Sequence, residues 1–130
     1  MTTSTPGAPT DRLLSPSTSM DAVTLRVGDL ELMTSYYTGA FALAPLEERS
    51  RGAEVHRVLG RGRTPMLRLV HTPGLPPVDP RQAGLFHTAF LFDDGPSLAA
   101  TDYRASQHPR RTFVGSSVHH VSASYYCTAP

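Results

Sequence analysis

Six histidines and one cysteine are the side chains of this 130-residue chain best suited to hold a metal or move a proton. Imidazole is the commonest protein metal ligand, and its surroundings decide whether it is placed to act as one. His87 sits inside the apolar run Leu85-Phe-His-Thr-Ala-Phe-Leu-Phe92. A histidine there is either a hydrogen-bonded core or rim residue or a ligand. His119 and His120 are adjacent, so in a strand they point to opposite faces and at most one can face an interior. His56 and His71 are expected to be exposed. Cys127 has no second cysteine for a disulfide or a zinc site and reads as a half-buried strand residue. Tyr125 and Tyr126 read as sheet packing rather than catalytic acids. Ser-His-Asp order, a phosphate loop and paired catalytic carboxylates cannot be argued from this sequence.

The balance of charge narrows the partners. Twelve basic and 11 acidic residues leave a net charge of +1, with no basic stripe. Nucleic acid and an anionic membrane are therefore not favoured. The nearest thing to a stripe, Arg49-Ser-Arg51 through Arg61-Gly-Arg63, reads as solvated strand ends and a turn. No apolar run approaches the ~20 residues of a membrane span. The N-terminus lacks the charged and apolar regions of a secretory signal, so the cytoplasm is the expected compartment.

The elements that must position these residues follow from hydrophobic period. Residues 1–19 are rich in Thr, Ser, Pro and Gly and read as a disordered tail, with Met20 as the natural start of the fold. Val23, Leu25 and Val27 alternate with Thr24 and Arg26, which predicts a strand. Asp29 is a helix N-cap candidate. Leu30, Met33, Tyr37 and Phe41 then form a helical stripe, which is read as core, with Gly39 weakening the helix end. Short strands are expected at 45–49, 54–59 and 66–70. In the second of these, Val55, Arg57 and Leu59 oppose Glu54, His56 and Val58. Gly60-Arg-Gly-Arg63 is expected as the turn between the last two. The proline-rich stretch from His71 to Gly84 reads as a linker. Leu85–Phe92 is the strongest strand candidate, broken by Asp93-Asp-Gly-Pro96. A helix capped by Ser97 is expected to run to about Ala105, with Leu98 and Tyr103 inward. Two short strands, 118–121 and 124–127, close the chain.

These elements repeat. With Ala22 set on His87, Val23–Val27 falls on Thr88–Phe92, Gly28-Asp29 on Asp93-Asp94 and, after one extra turn residue, Tyr37 on Tyr103. Each copy reads strand, acidic turn, helix, short strands. The fold expected is α+β: paired βαβββ modules forming an open cup-shaped sheet, with the last strand of the second module missing. Module one spans 20–72, a linker 73–84 and the incomplete module two 85–130. Such a cup has a concave interior where inward side chains converge.

The stretch Val23-Thr-Leu-Arg-Val-Gly-Asp-Leu30 with Tyr36-Tyr37, the segment Met66-Leu-Arg-Leu-Val70, Gly84-Leu-Phe-His-Thr-Ala-Phe90 and His119-His-Val-Ser-Ala-Ser-Tyr125 resemble the vicinal oxygen chelate superfamily. That superfamily holds glyoxalases, bleomycin- and fosfomycin-resistance proteins and extradiol dioxygenases. The pattern is most similar to the N-terminal domain of catechol-2,3-dioxygenase-like proteins. The resemblance implies a divalent metal, Fe(II) or Mn(II), held at the centre of the cup by the first and last strands of each module. Those positions are Ala22, which cannot bind metal, a site near Arg68, whose charge would repel it, and His87, which fits. The fourth would be a glutamate in a strand that would begin where the chain ends, at Thr128-Ala-Pro130. The resemblance also implies a substrate pocket near Arg68, His119, His120 and Tyr125, with His71 at a pocket-facing strand end.

Three readings follow. The first is the N-terminal, truncated part of a metal-dependent extradiol dioxygenase-like oxidoreductase acting on a catechol-type substrate. The second is a non-catalytic binding module, resembling bleomycin-resistance proteins, for a small aromatic molecule. The third is a truncated gene product without its own function. The protein partner implied is a second copy, forming a homodimer, or a missing C-terminal domain.

Overall fold

The computed structural model describes residues 14–79, 81–84, 87–110, 113–119 and 122–127, the last two segments as backbone. The expected tail falls mostly outside these residues, as do Leu85, Phe86, His120 and Thr128–Pro130, where the missing closing strand was expected. The chain runs β1 (Val23–Val27), α1 (Leu30–Phe41), β2 (Ala44–Arg51), β3 (Glu54–Arg61), β4 (Thr64–His71), α2 (Gly95–Gln107), β5 (Phe113–His119) and β6 (Ser122–Cys127). The fold is α+β. Strands β1-β4-β3-β2 form an open four-stranded sheet, and β5 and β6 form a separate antiparallel pair.

The alternation of β1 is realised as read, and Asp29 caps α1 by accepting from the Leu32 amide at 3.0 Å. The buried face of α1 is wider than the expected stripe. Leu30, Thr34, Tyr36, Tyr37 and Ala40 are buried, while Met33 and Phe41 pack at its margin. The helix ends at Ala42, in the left-handed region at φ 56°, with Gly39 inside its last turn as read. Gly39 leaves room for His108, whose ring meets Tyr36 edge-on at 5.3 Å.

β4 is the hinge of the sheet. It pairs β1 in parallel and β3 antiparallel. Leu59, Leu67 and Leu69 are wholly buried in one cluster with Leu30, Tyr36, Tyr37 and Ala40 of α1. Burying each such leucine contributes about 1.5–3 kcal/mol. Arg57 shares this helix-facing side of β3. Its guanidinium donates to Glu48 at 2.6 and 3.0 Å and to the Thr34 hydroxyl at 3.0 Å, and pairs with Glu31 at 3.0 Å. Glu31 first, then Glu48, raise the Arg57 pKa further above its ordinary range.

The second half departs from expectation in four ways. Residues 87–92 form no strand. Phe90 instead packs on Phe41, ring centroids 5.1 Å apart, so its apolar surface is spent on α1 and not in a ladder. α2 begins at Gly95 and is capped by Asp94, which accepts from the Ser97 amide at 2.7 Å. Pro96 therefore opens this helix, a position that needs no amide hydrogen, instead of only breaking the strand before it. Tyr103 is 69% exposed, because α2 buries none of its residues fully and leans on α1 chiefly through its C-terminal end. β5 starts at Phe113, five residues before the expected strand. Its partner runs alongside from Ser122.

The β3–β4 connection is also tighter than expected. Of the two glycines in the expected turn, Gly62 takes a positive φ of 58°. Gly60 lies within β3, buried, and serves a close approach instead. A Cβ there would collide with the Thr64 carbonyl oxygen and lie 2.7 Å from Leu46 Cδ1. Gly60→Ala should therefore lower stability by about 1–3 kcal/mol, as overpacking does, read from the urea midpoint. A midpoint equal to wild type would show that the turn yields without cost.

Candidate functional site on the open face of the sheet

Side chains alternate across a strand, so residues between the buried leucines project from the face opposite α1. The register aligns them into two rows. Thr24, Arg68, Val58 and Glu47 form one, and Arg26, Val70, His56 and Arg49 form the other. Val58 and Val70 are buried yet lie outside the helix-side cluster. They stand between the polar side chains of their rows.

Most charges of these rows are paired. Arg26 Nη1 donates to Glu54 Oε1 at 2.9 Å and to the Thr72 hydroxyl at 3.0 Å. His56 Nε2 donates to Glu54 Oε2 at 3.1 Å. Glu54, at the start of β3, thus bridges two strands. Arg49 pairs with Glu47. Arg68 differs. It is half-buried, and among the described residues no hydrogen-bond acceptor or carboxylate reaches it.

The residues singled out by sequence are dispersed. Arg68 lies at the centre of the open face. His87 is exposed, outside any helix or strand. His119 and Tyr125 lie in β5 and β6, opposite Ser122 and Ser116 respectively. His120 lies outside the described residues. His56 and His71 are half-buried rather than exposed, because His56 is held by Glu54 and His71 is flanked by Val27 and Val55 in the ladder. By strand alternation His71 takes the helix-side phase, away from Arg68. Glu54 and Arg26 were not singled out by sequence. The signal was present in the polar phase of β1 and β3, but only the strand order brings the two together.

The donor chemistry does not fit a divalent metal. The implied positions within the described residues supply a methyl group at Ala22, the neighbourhood of the Arg68 guanidinium and an exposed imidazole at His87. Among the described residues no group of three or more His, Cys, Asp or Glu side chains is gathered. A catalytic site that holds a metal and leaves room for substrate ordinarily needs about three protein ligands. What the face offers instead is hydrogen-bond donors: one unmatched guanidinium, a hydroxyl and a paired Arg–Glu–His array. A groove between the start of α1 and the end of α2, lined by Asp29, Glu31, Ser35 and His108, lies on the helical side. Its Asp29 carboxylate is already engaged as a helix cap. No helix among the described residues is long and apolar enough to cross a membrane.

Glu54 is held below its ordinary carboxyl value, first by the hydrogen bond from Arg26 and then by that from His56. A carboxyl depressed in the folded state contributes stability that is complete above its unfolded value and is lost as pH falls through the folded one. Stability should decline as pH drops below 4.5, the unperturbed value. Glu54→Gln should flatten part of that decline in urea midpoints measured across pH. An identical slope in the variant would show that the array carries no linkage.

Comparison with known proteins agrees with this architecture. The model of the Glyoxalase/Bleomycin resistance protein/Dioxygenase superfamily matches residues 19–126. No curated protein matches the chain. Among solved structures, a glyoxylase/bleomycin resistance protein/dioxygenase domain from Frankia sp. EAN1pec is similar at TM-score 0.66 and 20% identity, covering 86% of this chain and 91% of that one. A lactoylglutathione lyase from Agrobacterium tumefaciens is similar at TM-score 0.60 and 17% identity, covering 89% of each chain. An integron cassette protein from V. cholerae follows at TM-score 0.54 and 15% identity, covering 91% of each. At such identities these structures show the fold alone. The family match, spanning most of the sequence, shows that this chain belongs to the glyoxalase/bleomycin resistance protein/dioxygenase superfamily.

Proposed function

We propose that this chain is a small-molecule-binding domain of its superfamily that uses the open face of its sheet without a metal. The observation that carries this reading is the donor set: Ala22 and His87 stand where the resemblance implies metal ligands, and Arg68 lies near a third such position. A guanidinium at the centre of the face repels a divalent cation and attracts the opposite charge. Binding would rest on hydrogen bonds from Arg68 and Thr24, with the Arg26–Glu54–His56 array holding β1 and β3 in register beside them.

Ring cleavage of a catechol-type substrate, as in extradiol dioxygenases, is the weaker reading. It draws on the resemblance of Gly84–Phe90 and His119–Tyr125, and it needs metal donors that these positions do not supply. Purified chain incubated with Fe(II) or Mn(II) should retain well under one metal per chain and leave catechol uncleaved. It should also bind small organic ligands equally well in the presence of a chelator, as read by ligand-observed NMR. Stoichiometric metal with ring-cleaving turnover would contradict the proposal.

A further inference from the structure

The face of the sheet away from α1 carries an unbalanced charge at its half-buried centre. In the two rows, Arg26 and His56 share Glu54, and Arg49 has Glu47. Arg68 has no such match among the described residues. Its row neighbours are Thr24 and Val58, neither of which can neutralise it. Nor can the later chain do so with a side chain: residues 103–130 contain no Asp or Glu, and they add Arg104, Arg110 and Arg111. The contrast with Arg57 on the adjacent strand is direct. Arg57, on the helix side, is met by Glu31, Glu48 and Thr34. A half-buried guanidinium is partly stripped of water and recovers most from a charged acceptor that its planar fork can take in two parallel hydrogen bonds. One surplus positive charge matches one negative charge, which favours a carboxylate over a doubly charged phosphate.

We propose that the open face binds a small organic monocarboxylate, with the Arg68 guanidinium as its anchor and the Thr24 hydroxyl beside it. The proposal rests on the reading of this face as the ligand-binding one. It adds the ligand's chemical class and the residue that selects it.

The test uses the full chain, labelled with nitrogen-15, and three matched probe pairs: acetate with acetamide, benzoate with benzamide, and phenylacetate with phenylacetamide. At least one carboxylate should saturably shift the Arg68 Nε–Hε resonance, assigned by its loss in Arg68→Lys. That carboxylate should bind about tenfold or more tightly than its amide, the scale of a charge-assisted hydrogen bond. Arg68→Gln should abolish this preference, while Arg68→Lys should keep part of it, because charge remains and the fork does not. Thermal melts check that both variants fold. If Arg68→Gln does not fold, Arg68→Lys and the resonance shift decide the matter. A carboxylate preference that survives in the folded Arg68→Gln variant overturns the proposal, and so does the absence of an Arg68 shift with all three carboxylates. Equal binding of acid and amide on the open face overturns it while leaving the binding-domain reading intact. Binding that appears only after Fe(II) or Mn(II) is added overturns that reading itself.

Discussion

The two-sidedness of β4 is the constraint on which the rest of the structure depends. Leu67 and Leu69 face α1 and are fully buried, and they join the parallel β1 and the antiparallel β3 to the helix. Once that face is fixed, the period of two leaves Arg68 no choice of side. A slip of one residue would drive a guanidinium into the leucine cluster. The packing that stabilises the domain therefore also sets the Arg68 guanidinium on the face away from α1, at the centre of the sheet.

The two half-buried arginines show how the same side chain serves two purposes. Arg57 is caged by acceptors from α1 and β2 and ties the helix to the sheet edge. Arg68 sits one strand away on the opposite face and has no acceptor among the described residues. Satisfied donors in the first case give rigidity. In the second, the donors have no acceptor among the described residues, and the proposed binding surface is built on them. The resemblance implies metal ligands at Ala22 and near Arg68, where this chain carries a methyl group and a guanidinium.

The first half of the fold was legible because its signals are local. The alternation in Val23–Val27, the Asp29 cap and the opposed phases of β3 each follow from neighbouring residues. The second half was harder, since apolar character does not reveal where it is spent. Leu85–Phe92 has the composition of a strand, yet Phe90 packs on Phe41 and residues 87–92 join no ladder. Pro96 reads as a breaker in the sequence yet opens α2, because a proline punctuates both strand ends and helix starts. Of the site, Arg68 was legible through the family resemblance. The bridge from Arg26 to Glu54 was not, because it joins residues 28 positions apart through the strand order β1-β4-β3.

The central claim is that the open face takes up ligand without a metal. Backbone amide shifts mapped during ligand titration, with and without a chelator, test it most directly. The account predicts shifts concentrated on Thr24, Val58, Arg68 and Val70 that are unchanged by the chelator. Shifts that vanish with the chelator, or that gather at the groove between α1 and α2, would contradict it.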